Sequence, residues 1–184
     1  MTTYICILRG INVSGHRIIK MEDLRKMLDG IGYKNIQTYI QSGNVIFQSK
    51  ESDREIIQQS IKNGIEEKFG FDVPVIVKDL DGLKKTIKQN PFIKDKSKDV
   101  SYLHITFLSE VPDGKNANKL KELDFKPVEF HISEDAVYLY CPESYSSSKL
   151  TNGFIESRLK VTATTRNLKT AFKLIEIGDK ISGS

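Results

Sequence analysis

The chain has 184 residues, 39% of them hydrophobic and 28% charged, with a formal net charge of +4. This length predicts one compact domain or two small subdomains of a globular protein. No apolar run reaches the ~18 residues of a membrane span, and Cys6 and Cys141 lie too far apart in the chain for a disulfide framework or a metal knuckle. We therefore expect a cytoplasmic protein with reduced cysteines, no membrane partner, no metal and no cofactor.

The first half of the chain is predicted to form a β-α-β-β-α-β unit. An apolar strand from about Tyr4 to Leu8 leads into a polar loop, and apolar residues then recur at helical spacing up to Gly32. A hairpin turning at Ser42-Gly43-Asn44, a second helix ending at Gly70 and a fourth strand over 73–77 follow. Two helices on one face of a four-stranded antiparallel sheet is the ferredoxin-like arrangement.

The second half is predicted to repeat this pattern as a related β-α-β-β unit with C-terminal helices. A helix over 79–88 ends at Asn90-Pro91, and the charged segment 94–99 is predicted to be a linker or mobile loop. The fold class is therefore α+β, with subdomains 1–90 and 100–184 that either stand apart or pack as one compact unit. The remaining elements are expected as strands over 102–108, 128–132 and 137–141, and as helices over 117–123, 148–159 and 166–177, with Gly178 as the last stop and 180–184 frayed.

Polar residues gather directly after the first strand. Arg9 follows five apolar residues, and a guanidinium placed there needs acceptors, which a phosphate, a carboxylate or a set of carbonyls can supply. A clamp between the two subdomains explains Arg9 equally well. Lys20, just before the first helix, is a candidate second cation or a solvated lysine. The glycines of this loop fit neither the P-loop nor the dinucleotide-binding spacing.

A second polar stretch runs over 162–168. Thr164 or Thr165 is predicted to cap the last helix, on which Arg166, Lys169 and Lys173 would share one face near the helix N-terminus. The N-terminus of such a helix can bind a phosphate or a carboxylate. The alternative is an ordinary capped helix on the surface with solvated lysines.

No complete catalytic constellation occurs in the sequence. His16 lies in the polar loop without a carboxylate in sequence reach, and His104 and His131 form no metal-ligand pattern. Ser42 is followed by glycine but lacks the G-x-S-x-G context of a nucleophile. Whether the protein is an enzyme is therefore left open.

Three separated stretches, LRGINVSG at 8–15, TYIQSGNVIF at 38–47 and TATTRN at 162–167, together resemble the DUF1697 family, a bacterial family of unknown function. The resemblance implies two α+β subdomains, the first ferredoxin-like, and implies no activity. Ser14 stands where the family usually has glycine or a similarly small residue, which leaves the loop shape open. The signature positions of the family correspond in this sequence to Gln41 and to the candidate ligand-binding residues. These candidates are Arg9, Gly10, Asn12, Lys20, Ser42, Gly43, Asn44, Thr165, Arg166 and Asn167.

These residues support a specific expectation about geometry. If the central strands pair antiparallel, the end of the first strand lies beside the start of the third, so Arg9, Asn12, Ser42 and Asn44 should meet. Whether Arg166 joins them depends on how the tail folds back.

Three functions are consistent with this arrangement. The first is binding of a small anionic ligand that bears a phosphate or a carboxylate, in line with a pI near 8.9. The second is a nucleic-acid-binding module that stacks bases on sheet aromatics, namely Tyr102, Tyr138, Tyr140 and His104. The third is a structural or interaction protein with Arg9 as a clamp.

Overall fold

The computed structural model describes residues 1–183, which divide into two compact units. Unit 1 contains Met1–Lys84 and the chain from Lys173 onward, and unit 2 contains Lys85–Phe172. The sequence-based expectation had put a single boundary between residues 90 and 100. None of the helices within residues 1–183 is both long enough and apolar enough to cross a membrane.

Unit 1 contains a four-stranded antiparallel sheet in the order β2-β3-β1-β4. Its first six elements are β1 (Thr2–Leu8), α1 (Met21–Gly30), β2 (Lys34–Tyr39), β3 (Asn44–Ser49), α2 (Arg54–Phe69) and β4 (Val75–Asp79). Alternate residues of β1, from Tyr4 to Leu8, join the buried cluster that also holds Leu24 of α1 and Ile57 of α2. The sequence shows this part of β1 as a continuous apolar run, and the predicted ferredoxin-like unit is confirmed.

Unit 2 repeats the same topology, with its sheet in the order β6-β7-β5-β8. Helix α3 (Leu80–Lys88) leads out of unit 1, and α6 (Leu168–Ser182) ends the chain. The elements of unit 2 are β5 (Leu103–Leu108), α4 (Gly114–Lys121), β6 (Glu129–Ile132), β7 (Ala136–Tyr140), α5 (Asn152–Leu159) and β8 (Ala163–Asn167). Unit 2 thus contains the predicted β-α-β-β unit, and α5 with a fourth strand, β8, completes it as a β-α-β-β-α-β repeat.

Equivalent backbone hydrogen bonds relate the two units residue by residue. The amide of Leu8 donates to Gly43 O at 2.8 Å, and the amide of Leu108 donates to Asp135 O at 3.0 Å. The amide of the residue after each strand makes a second equivalent bond. Arg9 donates to Pro74 O at 3.1 Å, and Ser109 donates to Thr162 O at 2.9 Å. Each of these acceptor residues directly precedes the fourth strand of its unit. The end of β1 therefore corresponds to the end of β5.

The predicted helix cap at Thr164 or Thr165 is wrong, because these residues belong to strand β8. They pair with Phe107 and Thr106 of β5, and β-branched threonines favour this extended conformation. Helix α6 begins at Leu168 instead, where the side chain of Asn167 accepts a hydrogen bond from the amide of Lys169 at 2.8 Å. Arg166 consequently shares no helix face with Lys169.

The ends of two C-terminal helices also differ from the prediction. Helix α5 begins at Asn152, capped by Thr151, rather than at residue 148. Helix α6 passes through Gly178 and continues to Ser182, so this glycine is not its stop and residues 180–182 are helical. A Cβ at Gly178 would lie 2.7 Å from Leu80 Cδ1, so the glycine serves a close approach between helices.

The charged segment 94–99 lies inside unit 2 and is tied to the sheet. The ammonium group of Lys98 lies 4.2 Å from the centre of the Tyr140 ring and 2.6 Å from Glu129 Oε1. Only 11% of the Lys98 side chain is exposed. The segment is therefore anchored through Lys98 rather than being a free linker.

We predict that Gly43→Ala destabilises the protein by about 2–4 kcal/mol. Gly43 has φ +81°, and an added Cβ would lie 2.7 Å from Leu8 Cβ and 2.9 Å from Ile11 Cδ1. Chemical denaturation measures the change, with Gly114→Ala as the control because a Cβ there meets nothing within 4 Å. Equal stabilities of the two variants would contradict this account of the turn.

Candidate functional site

The loop between β1 and α1 is much longer than its counterpart in unit 2. It runs over residues 9–20, twelve residues that we call the long loop, whereas the β5–α4 loop runs over only five, 109–113. Both units have the same topology, and unit 2 makes this connection with only five residues. The extra length in unit 1 is not required by the fold.

The two equivalent loops also differ in charge. The long loop carries Arg9, His16, Arg17 and Lys20, and no acidic residue precedes Glu22 in the chain. The short loop carries two acids, Glu110 and Asp113, and no cation. The additional residues of unit 1 therefore present positive charge at a place where the repeat presents negative charge.

The side chain of Asn12 holds the long loop in shape. Its Nδ2 donates to Ile19 O and to Gln41 O, both at 2.9 Å, and its Oδ1 accepts from the amide of Ile19 at 2.8 Å. The amide of Asn12 also donates to Arg17 O at 3.2 Å. Asn12 has φ +55°, a conformation that asparagine tolerates better than most residues. One side chain thus joins both ends of the loop to the β2–β3 turn.

The β2–β3 turn is held by two of the predicted site residues. Asn44 is fully buried, and its Nδ2 donates to Tyr39 O at 3.1 Å and to Ser42 Oγ at 2.9 Å. Asn44 therefore supports the turn from within rather than facing a ligand. The structure brings Asn12 to the turn through Gln41, and it brings the end of β1 to Gly43.

Two arginines adjoin Gly10, Arg9 as its neighbour in the chain and Arg17 through its side chain. Arg9 is half-buried at the end of β1, and Gly10 is exposed with φ +71°. Nη1 of Arg17 lies 3.3 Å from the position that a Cβ on Gly10 would occupy, so this guanidinium folds over Gly10, next to Arg9 in the chain. Lys20 is exposed at the start of α1. Sequence reasoning did not single out Arg17, because the loop passes through several left-handed residues between Gly10 and Arg17 and the residue types alone do not specify its path.

The predicted residues Thr165, Arg166 and Asn167 lie in unit 2, on β8. The hydroxyl of Thr165 donates to Asn152 Oδ1 at 2.7 Å, accepts from Tyr145 at 3.1 Å and lies 2.7 Å from the hydroxyl of Thr106. A further two bonds within unit 2 run from Arg166 Nη1 to Thr165 O at 2.9 Å and from Asn167 Nδ2 to Ser101 O at 2.8 Å. These residues form a polar network of their own within unit 2.

His104, which the sequence suggests as a polar strand residue and as one of the aromatics of the base-stacking hypothesis, lies at the edge of this network. Its ring stacks on Tyr145 with centroids 5.0 Å apart, and Nδ1 lies 3.3 Å from Tyr102 O. Since a carbonyl oxygen only accepts, Nδ1 carries the proton and Nε2 of the neutral ring has a lone pair. Burial lowers the pKa of His104 below its ordinary value near 6.5. No sequence signal links His104 to Tyr145, 41 positions later.

Comparison with known proteins identifies the family. The family model described as a protein of unknown function, DUF1697, matches residues 1–138. The chain belongs to the DUF1697 family. A solved structure, that of the conserved bacterial protein SP0830 from Streptococcus pneumoniae, matches with a TM-score of 0.77 at 22% sequence identity. The match covers 96% of this chain and 98% of that one, and it shows that the fold is shared. No curated protein matches the chain.

The DUF1697 match includes one of the two polar regions. Residues 1–138 contain the whole long loop and the β2–β3 turn, whereas Thr165, Arg166 and Asn167 lie beyond them. The DUF1697 family has no assigned activity, so any function for the long loop must be argued from its own geometry.

We predict that Asn12→Asp lowers the free energy of unfolding by about 1–3 kcal/mol. The carboxylate keeps an acceptor for the amide of Ile19 but turns an oxygen towards the carbonyls of Ile19 and Gln41, which then lose their donor. Urea denaturation measures the loss. Asn12→Gly is the companion variant, since glycine adopts φ +55° without strain and lacks the three side-chain hydrogen bonds.

We also predict that stability declines as pH falls below about 6.5, the pKa of an unfolded histidine. Because burial lowers the folded-state pKa of His104, the unfolded chain binds its proton first, and the loss is complete only below the folded value. His104→Gln should reduce this slope in denaturation measured from pH 7.5 to 5. An unchanged slope would show that His104 does not contribute.

Proposed function

We propose that the long loop binds a small anionic ligand bearing a phosphate or a carboxylate, with Arg9, Arg17 and Lys20 supplying the charge. The observation that carries this proposal is the position of the Arg17 guanidinium over Gly10, on a loop without acidic residues. Within residues 1–183, Arg17 forms no ion pair with a carboxylate of the chain. Its charge is thus available to a ligand.

The shape of the loop favours binding because it is formed in advance. Four hydrogen bonds of Asn12, three from its side chain and one from its amide, fix the backbone, so little conformational entropy is lost when an anion arrives. A guanidinium presents a planar fork that suits the paired oxygens of a phosphate or a carboxylate. Gly10, with no side chain, leaves room for the Arg17 guanidinium to lie close to the backbone.

The alternative of base stacking on sheet aromatics has less support. Tyr138 is fully buried, and its hydroxyl donates to Thr86 O at 2.6 Å. The face of Tyr140 is occupied by the ammonium group of Lys98. Both tyrosines are therefore engaged within unit 2, which favours the long loop as the binding element.

A thermal-shift series tests the proposal with inorganic phosphate, pyrophosphate, nucleotides, sugar phosphates and small carboxylates. At a concentration of 100 times Kd, a ligand stabilises the folded state by about 2.7 kcal/mol. We expect a shift from at least one anion that Arg17→Gln removes. Lys121→Gln, which deletes an exposed charge on α4, should retain it. A shift that survives Arg17→Gln, or no shift with any anion, would refute the proposal.

Arg9→Gln separates ligand binding from the clamp hypothesis. If Arg9 serves the ligand, the variant binds the anion at least about tenfold more weakly, the effect of 1.4 kcal/mol, while its melting temperature without ligand stays close to that of the wild type. If Arg9 is a clamp, the melting temperature falls in the absence of any ligand. Titration calorimetry and thermal denaturation of the same variant distinguish the two results.

A further inference from the structure

Three aliphatic side chains are exposed on the long loop and the adjoining turn. Val13, Ile18 and Ile40 are 57%, 56% and 51% exposed, and we call them the loop patch. Val13 follows Asn12 in the chain and Ile40 precedes Gln41, and Asn12 Nδ2 donates a hydrogen bond to Gln41 O. The same bond that shapes the long loop thus holds two members of the patch on adjoining segments.

Ile40 is the most unusual of the three because its backbone is left-handed, with φ +52°. For a β-branched residue this conformation is a genuine outlier, and turns ordinarily place Gly, Asn or Asp there. The side chain gains little burial in return, since half of it remains exposed. The turn therefore holds an aliphatic group outward at a cost in stability that the folded chain does not recover.

We propose that the loop patch docks an acidic segment of a partner protein that carries aliphatic side chains. Val13 and Ile18 share the long loop with Arg9, Arg17 and Lys20, whose charges attract the carboxylates of such a segment, while Val13, Ile18 and Ile40 bury its apolar side chains. The proposal rests on the proposed function for its charge, and it goes beyond that function because it assigns a role to the apolar surface.

Other occupants fit the composition of the surface less well. Neither the long loop nor residues 40–43 contain Phe, Tyr or Trp, whereas membrane interfaces favour Trp and Tyr and single-stranded nucleic acids stack mainly on these large rings. A second copy of the same surface would place like charges opposite one another. An acidic, aliphatic protein segment meets both the charge and the apolar side chains.

Selection from a displayed library of random peptides about 12 residues long tests the proposal. We expect enrichment of peptides that combine Asp or Glu with Leu, Ile or Val. Synthetic versions should bind the wild-type protein, and Ile40→Asn should weaken this binding at least fivefold while leaving the melting temperature equal or higher, since asparagine tolerates the left-handed backbone. Ile56→Asn is the matched control, because Ile56 is 55% exposed on α2, and it should bind as the wild type does.

The controls separate this proposal from the anion-binding proposal. Ile40→Asn should retain any thermal shift caused by phosphate, whereas Arg17→Gln should lose that shift and also weaken the peptide. Equal binding of peptides with serine in place of the aliphatic residues would overturn the docking proposal. The proposal would also be overturned if the selection did not enrich peptides that are both acidic and aliphatic. It would equally be overturned if the protein preferred phosphatidylglycerol vesicles or an oligonucleotide and Ile40→Asn abolished that binding.

Discussion

The hydrogen bonds of the Asn12 side chain are the interaction on which the account of this protein depends. They join the two ends of the long loop and tie it to the carbonyl of Gln41, so one residue determines the shape of the loop and its position on the turn. Without them, a glycine-containing loop of twelve residues would sample many conformations. With them, the segment that carries Val13 and Arg17 is held at the end of the two central strands, β1 and β3.

The internal repeat shows which features belong to the fold and which do not. Both units end their first strand with the same pair of backbone hydrogen bonds, and both have the same strand order. Beyond that point unit 2 uses five residues with two acids, and unit 1 uses twelve residues with three lysine or arginine side chains. Since the same topology needs only five residues in unit 2, this difference in length and charge is what supports the proposal that the long loop binds an anion.

Much of unit 1 could be predicted from the sequence because its strands contain short apolar runs and its helices bear apolar stripes at helical spacing. The meeting of Asn12 with the turn followed from antiparallel pairing of β1 with β3. Strand β8 could not be predicted, because Thr164, Thr165 and Arg166 give no apolar alternation and the strand depends on pairing with β5. The return of Arg17 over Gly10 depends on left-handed backbone conformations that the residue types alone do not specify.

Mapping of amide chemical shifts during a titration with pyrophosphate tests the central claim most directly. The account predicts saturable changes in the ¹H–¹⁵N spectrum that are largest for the amides of residues 9–20 and 41–43, with residues 109–113 of the equivalent short loop unaffected. Uniform small changes across exposed lysines, or the largest changes at 109–113 or on β8, would contradict the assignment of the long loop as the anion-binding element.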